Sequence, residues 1–192
     1  MMKTYSVKHV VGKSEAQKKK EMAELVVFNR AKTIAFGVGE KIGKQAPIEK
    51  VDTVVNKFFS QVLAKLREKK VWNSTTAGDG QVMEVLVSYA LGYVSAYYGV
   101  EFECSAKLDS KKVDFAVNKK KYQLKYAWSD AHNAETQANL YGNVKVVGLR
   151  AANQPKTMGS KTLYELVAEM VAVDISELKV AFDKLYVNYC QI

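Results

Sequence analysis

The sequence is poor in proline and cysteine, and it contains no long uninterrupted apolar run. Two prolines and two cysteines are present among 192 residues. Cys104 and Cys190 are too few and too far apart for a disulfide framework or a structural zinc site. The longest apolar stretch, from Val82 to Val100, is broken by Glu84 and by serines, whereas a membrane helix needs about 20 mostly apolar residues. We therefore expect a cytoplasmic protein without a membrane segment.

Histidine is equally scarce. His9 and His132 are the only two, and neither has a cysteine or histidine neighbour at the spacing of zinc ligands. No combination of serine, histidine and acid stands out for acyl transfer, and no motif for an organic cofactor is present. The side chains that could form a catalytic or metal-binding site are therefore carboxylates, amides and lysines.

Positive charge is concentrated in the first part of the chain. Residues 1–70 hold 16 Lys and Arg against 7 Asp and Glu, whereas residues 71–192 hold 13 of each. A basic, mainly helical region over 1–72 suits a polyanionic partner, because bound phosphates release condensed counterions. We expect this region to bind DNA or to dimerise, and residues 73–192 to form the catalytic core.

Helical periodicity is clear in three segments of the first half. A helix begins near Ser14 and is expected to end in a glycine-rich loop at Gly37, Gly39 and Gly43. An amphipathic helix is predicted over 48–70, followed by a polar loop over 72–80. The third helix, over 81–98, is apolar almost all round, with its polar and small residues on one stripe: Gln81, Glu84, Ser88, Gly92 and Ser95. A carboxylate on such a helix is costly unless it is paired, so Glu84 needs a partner.

Three short strands follow, over 101–108, 112–117 and 122–127. In the second, Val113, Phe115 and Val117 are expected on one face and Asp114 on the other; in the third, Gln123 and Lys125 share a face. A two-residue turn at 118–119 would place Asp114 opposite Gln123, and a four-residue turn over 118–121 would place it opposite Lys125. Either register gathers Asp114, Gln123 and Lys125 on one surface.

The rest of the chain reads as a helix over 130–141, a strand over 144–151, a helix capped by Ser160 that runs to Val173, and a last helix over 176–189. The order of helix, three strands, helix, strand and helices predicts an α/β fold: a mixed β-sheet flanked by helices, after an N-terminal helical region.

Acid, amide and lysine side chains on neighbouring strands suit phosphodiester hydrolysis. Carboxylates can hold Mg²⁺, which keeps several waters and needs only one or two acidic ligands. A nearby lysine can orient the attacking water or neutralise developing charge. An acid and a lysine on a hairpin also occur on many solvent-exposed surfaces. The surrounding helices and strands therefore decide whether these residues indicate a catalytic site.

Asp114, ten intervening residues, then Lys125 within Gln123-Leu124-Lys125, preceded by Glu84 on a helix, resembles the PD-(D/E)XK nuclease superfamily. The resemblance covers residues 80 to about 151 and implies a restriction-endonuclease-like fold. It implies that Asp114 is the central metal ligand, Glu84 a further ligand, Lys125 the residue that assists the water, and the Leu124 carbonyl part of the metal shell. Gln123 stands where an acid is usual, as in the Gln-x-Lys variant of Mrr-like restriction enzymes, and its amide oxygen can still bind metal.

The resemblance implies a type II restriction endonuclease that cuts double-stranded DNA with Mg²⁺, or with Mn²⁺ in its place, as a homodimer. A structure-selective nuclease of the junction-resolving or repair type, and a DNA-binding protein with an inactive nuclease fold, are the alternatives. Five lysines around the hairpin are candidates for contact with the DNA backbone: Lys111, Lys112, Lys119, Lys120 and Lys121. Gln137 and Tyr141 have the Gln-x-x-x-Tyr spacing of the RecB-like branch.

Overall fold

The computed structural model describes residues 14–45, 76–103, 113–127, 130–139, 143–152 and 161–189. The helices are α1 (Glu15–Gln45), α2 (Thr76–Tyr98), α3 (Asp130–Ala138), α4 (Leu163–Val171) and α5 (Lys179–Tyr189), with a 3-10 turn at Ser176–Leu178. The strands are β1 (Phe102–Glu103), β2 (Phe115–Val117), β3 (Lys120–Tyr126) and β4 (Val144–Leu149). The predicted helix over 48–70 and the division of the chain near residue 72 lie outside the described residues, as do Lys111, Lys112 and Tyr141.

The four strands form one mixed sheet in the order β1-β2-β3-β4. β2 pairs antiparallel with β1 and β3, and β4 pairs parallel with β3. Parallel neighbours need a crossover connection, which here contains α3. The predicted α/β class, with a mixed sheet accompanied by helices, is confirmed.

The two faces of the sheet have different surroundings. One face, called the core face below, packs with the helices into the main hydrophobic core through Phe115, Val117, Tyr122, Leu124, Tyr126, Val147 and Leu149. Side chains alternate along a strand, so the intervening residues project from the opposite, outer face: Ala116, Lys121, Gln123, Lys125, Val146 and Gly148.

The β2–β3 hairpin closes with a two-residue turn. Asn118 and Lys119 have φ angles of 46° and 66°, the positive values that the type I′ turn requires at both central residues. The ladder pairs Phe115 with Tyr122 and Val117 with Lys120. Of the two turns that the sequence left open, the structure has the two-residue one.

The expectation that three glycines end the first helix in a loop is wrong, because α1 continues through them to Gln45. Gly39 and Gly43 instead allow α1 to lie directly against α2. A Cβ atom at Gly39 would lie 2.2 Å from the Tyr89 carbonyl oxygen, and one at Gly43 would lie 2.7 Å from the Tyr93 carbonyl oxygen. From the other side, a Cβ atom at Gly92 would lie 2.3 Å from the Phe36 carbonyl oxygen. The two helix backbones therefore approach where side chains are missing.

Alanine substitutions within α1 should separate this close approach from helix propensity. Gly39→Ala is expected to lower the free energy of unfolding by roughly 1–3 kcal/mol, since the added methyl group must push the backbone of α2 away. Gly37→Ala, with nothing within 4 Å of its Cβ position, is expected to raise that free energy by up to about 1 kcal/mol. Urea unfolding measures both, and equal effects of the two substitutions would contradict the packing described here.

The polar stripe predicted on α2 has structural partners. Glu84 pairs with Lys32 of α1, Ser88 Oγ donates to the Glu84 carbonyl oxygen at 2.7 Å, and Ser95 Oγ donates to the Val100 carbonyl oxygen at 2.6 Å. α2 begins at Thr76, so the predicted polar loop is helical from that residue. No helix among the described residues is both long and apolar enough to cross a membrane.

Side chains and a short bridge occupy the edge of β4 that faces away from β3. Gln137 of α3 donates to the Val144 carbonyl oxygen at 2.9 Å and accepts from the Val146 N–H at 2.6 Å, so its amide acts like a strand residue. Further along, Lys161 N–H donates to the Gly148 carbonyl oxygen and the Lys161 carbonyl oxygen accepts from Arg150 N–H. The Gln137 interactions are structural, which leaves the weak Gln-x-x-x-Tyr motif without support from this residue.

Helix α4 is capped by Thr162 rather than by the predicted Ser160, which lies outside the described residues. Thr162 and Glu165 form a reciprocal capping box at the start of α4. Glu169 on the same helix pairs with Lys145 and Lys161. Burial raises the pKa of the Glu169 carboxyl, but hydrogen bonds and attraction from the two lysines outweigh it and lower that pKa.

Candidate active site

Asp114 stands immediately before β2, where the regular alternation of the strand is interrupted. Its N–H donates to the Tyr122 carbonyl oxygen at 2.9 Å, although the ladder pairs Tyr122 with Phe115. Val113 packs with Val144 and Ala116 in a small separate cluster instead of joining Phe115 in the main core. The expectation that Val113 and Phe115 share a face is therefore wrong. One extra residue at Asp114, as in a β-bulge, shifts the register there and ends the strand.

The Asp114 carboxylate turns back onto β3. Its Oδ2 accepts a hydrogen bond from the Leu124 N–H at 2.6 Å, across ten residues of sequence. The carboxylate therefore takes the place of the strand residue that β2 no longer provides. Since Leu124 lies between Gln123 and Lys125, the structure fixes the predicted acid beside the predicted amide and lysine.

The N–H and C=O groups of one strand residue point toward the same neighbouring strand. Leu124 directs its N–H at Asp114, so its carbonyl oxygen faces the same region, where β2 has ended. The Leu124 side chain packs in the main core. The role predicted for Leu124 is metal binding by its backbone carbonyl oxygen, and the direction of that oxygen allows this role.

Gln123 carries an oxygen atom that is buried and lacks a hydrogen-bond partner in the described part of the chain. This atom is Oε1 of the side-chain amide. Burying such an acceptor without a partner costs about 1–3 kcal/mol. Orphaned acceptors of this kind are compensated when they bind an ordered water or a cation. This is the property that a metal-ligating amide needs.

Lys125 projects from the outer face, two residues beyond Gln123. It is partly exposed and pairs in register with Gly148 of β4, which has no side chain. The flanking residues Leu124 and Tyr126 pack in the main core, so alternation fixes the side on which the lysine lies. Gln123 and Lys125 are brought together on one face, as the sequence predicted.

Glu84 obtains the partner that its burial demands, and this partner is Lys32 of α1. Glu84 Oε2 lies 3.1 Å from Lys32 Nζ, and the lysine side chain is fully buried. Lys32 Nζ also lies 5.3 Å from the centre of the Phe115 ring, at the start of β2. The pair therefore reaches the end of the sheet where Asp114 lies, from the core face, whereas Gln123 and Lys125 lie on the outer face. Metal binding by Glu84 stays a prediction.

Lys32 is a residue near the site that was not predicted, because the basic region over 1–72 was expected as a whole to bind DNA or to dimerise. A usable signal was present. Lys32, Ala35 and Gly39 recur at steps of three and four, which places them on one face of α1. Ala35 is fully buried and Gly39 contacts α2. A lysine on a face of small buried residues is expected to be buried with them.

The lysines of the hairpin turn lie at the opposite end of β3 from Lys125. Lys119 and Lys120 are exposed, and Lys121 is partly exposed. Their positions leave them accessible to a partner, while contact with DNA stays a prediction.

In the described residues, no group of three or more His, Cys, Asp or Glu side chains could hold a metal ion. The predicted ligand set has only two acids, Asp114 and Glu84, and relies on amide and carbonyl oxygens for the rest. It is therefore a site of low negative charge.

Comparison with models of known protein families, with curated proteins and with solved structures found no match for this chain.

Proposed function

We propose that this chain is a Mg²⁺-dependent endonuclease with a restriction-endonuclease-like core that hydrolyses phosphodiester bonds of double-stranded DNA. The observation that carries the proposal is the buried Gln123 oxygen without a hydrogen-bond partner in the described residues, on the strand that holds the Asp114 carboxylate. An acid bound to β3, and an amide oxygen and a lysine two residues apart on that strand, match the needs of phosphodiester hydrolysis.

The oxygen atoms at this end of the sheet suit Mg²⁺, which prefers carboxylate and carbonyl oxygens. Asp114, the Gln123 amide and the Leu124 carbonyl would hold it. Glu84 approaches this end of the sheet from the core face, so it would be a further ligand through water. When bound, the ion supplies charge neutralisation at the phosphoryl oxygens and a water made acidic enough to react near neutral pH. Mn²⁺ has similar ligand preferences and is expected to substitute.

Lys125 would act on the substrate side of the site. Its side chain leaves the outer face two residues beyond Gln123, where Lys125 pairs in register with Gly148 of β4. There the ammonium group can donate hydrogen bonds to the attacking water and to a phosphoryl oxygen, which orients the first and neutralises charge on the second. Symmetric cutting of both strands would use two copies of the chain.

Incubation of supercoiled plasmid with and without Mg²⁺ tests the proposal. The wild-type protein is expected to nick or linearise the plasmid with Mg²⁺ and to leave it intact in EDTA. Lys125→Ala is expected to reduce the rate by on the order of 100-fold or more. Lys184→Ala, which removes an exposed lysine of α5, is expected to cut at the wild-type rate. Equal rates for Lys125→Ala and the wild-type protein would remove the role given to Lys125.

The pattern of cleavage separates the nuclease alternatives. Discrete fragments indicate a sequence-specific restriction enzyme. Cleavage confined to branched or flapped substrates indicates a structure-selective nuclease. Sequencing the ends identifies the recognition sequence in the first case.

An inactive DNA-binding protein is the second candidate, and two contacts favour it. Lys32 already neutralises Glu84, and Leu124 N–H already occupies one oxygen of Asp114. Tight DNA binding without cleavage in either Mg²⁺ or Mn²⁺ is the result expected of such a protein.

A further inference from the structure

Arg150 is a buried cation at the end of β4. It directly follows the strand, and its residue exposure is only 8%. Val147, Leu149 and Ala151 all pack in the main core. The alternation therefore continues past the strand end and places the Arg150 side chain on the outer face, with Gln123 and Lys125.

The guanidinium group of Arg150 has no counterion within the described part of the chain. Its backbone N–H is satisfied by the Lys161 carbonyl oxygen, but its side chain forms no ion pair or hydrogen bond with a described residue. The Nε atom is buried without a hydrogen-bond partner. The lost hydration of this buried N–H is not replaced, which costs free energy, and the charge to which it belongs has no described counterion. Such a group gains stability when an anion binds to it.

The position of Arg150 relates this anion to the candidate active site. Gly148 pairs with Lys125, and Arg150 lies two residues beyond Gly148, which is roughly 7 Å along the strand. Ala127 N–H donates to the Leu149 carbonyl oxygen, so β3 and β4 end together at this point. An oxygen that lacks a donor, at Gln123, and a guanidinium that lacks an anion, at Arg150, thus lie on one face with Lys125 between them.

We propose that Arg150 binds a phosphoryl group on the outer face of the sheet, and that in the complex with DNA this group is a backbone phosphate next to the one that is cut. The planar fork of N–H donors on a guanidinium matches the geometry of phosphate oxygens. The anion site rests on the burial and missing counterion of Arg150 alone. Its assignment to DNA rests on the proposed function.

Thermal unfolding with inorganic phosphate tests the anion site without any need for nuclease activity. At constant ionic strength, adjusted with chloride, about 50 mM phosphate is expected to raise the Tm of the wild-type protein by about 2 °C or more. Arg150→Gln is expected to lose this response and, in chloride alone, to unfold at the wild-type Tm or above it, because an uncompensated charge is gone. Lys184→Gln, which removes an equal charge from an exposed position on α5, is expected to respond like the wild-type protein.

Binding of a fluorescent DNA duplex in EDTA, measured by anisotropy across a salt series, tests the assignment to DNA. Arg150→Gln is expected to weaken binding about tenfold and to lower the slope of log K against log salt by about one, as for one lost phosphate contact. Arg150→Lys keeps the charge without the fork, so it is expected to retain the slope and part of the affinity.

The possible results separate the two proposals. An Arg150→Gln protein whose Tm still rises with phosphate as in the wild type overturns the anion site, and so does a wild-type Tm that does not respond. A phosphate response that Arg150→Gln loses, with equal DNA binding by both proteins, assigns the site to free phosphate and overturns its part in DNA binding. A phosphate response and DNA binding that both depend on Arg150, without cleavage in Mg²⁺ or Mn²⁺, support the site while contradicting the proposed nuclease function.

Discussion

Asparagine in place of Asp114 is expected to abolish Mg²⁺-dependent DNA cleavage in a protein that stays folded. The substitution removes the negative charge that would hold the metal, and charge stabilisation by a metal contributes several kcal/mol to such reactions. The rate should therefore fall on the order of 1,000-fold. The amide oxygen of the asparagine side chain can still accept the hydrogen bond from Leu124 N–H, so the β3 contact is expected to survive.

The control for charge removal is Asp183→Asn, on the exposed side of α5, where the wild-type carboxylate pairs with Lys179. It should cut DNA at the wild-type rate. Asp114→Ala removes both the charge and the hydrogen bond, and we expect a lower Tm together with the loss of cleavage. If Asp114→Asn cuts plasmid at the wild-type rate, Asp114 is not a metal ligand and its contact with Leu124 is only structural.

Disruption of the buried Lys32–Glu84 pair is expected to have the largest effect on stability. Lys32→Met and Glu84→Gln should each lower the free energy of unfolding by about 3 kcal/mol. Either substitution leaves one buried charge without its oppositely charged partner. The protein carrying both changes should lose much less than the sum, since no charge then stays behind. Urea unfolding of the four proteins measures the coupling.

An exposed ion pair on the same helix provides the matched control. Lys44 pairs with Glu40 at 3.0 Å, but their side chains are 60% and 41% exposed. Lys44→Met should cost less than about 0.5 kcal/mol, since solvent screens such pairs. If Lys32→Met and Lys44→Met cost the same, or if the two changes at Lys32 and Glu84 add, the buried pair does not stabilise the contact between α1 and α2.

Local patterns were sufficient to predict the elements that carry the candidate site. Alternation along 122–127 placed Gln123 and Lys125 on one face, and the polar stripe of the central helix showed that Glu84 needed a partner. These inferences succeeded because each depends on neighbours within one element. The choice between the two hairpin turns needed the φ angles of Asn118 and Lys119, which sequence alone does not fix.

The features that escaped prediction depend on contacts between distant residues. Gly39 looks like a helix terminator until α2 is placed against it, because only then does its missing side chain become the reason for the contact. The register shift at Asp114 also depends on β3, whose Leu124 N–H draws the carboxylate into the ladder. Lys32 was not singled out, because the net charge of residues 1–72 indicated a DNA-binding or dimerising surface and the burial of one helical face depends on α2. The binding of Mg²⁺, the DNA substrate and the homodimeric assembly stay predictions.

The amide of Gln137 has a consequence for how copies of this protein could associate. A strand from a second copy could extend the sheet only by hydrogen bonding to backbone groups of an outermost strand. On β4, the Gln137 side chain and the Lys161 backbone already satisfy such groups at Val144, Val146 and Gly148. Extension of the sheet across β4 is thereby blocked, which also protects this strand from edge-to-edge aggregation. A homodimer that cuts both DNA strands would therefore not form by strand pairing across β4.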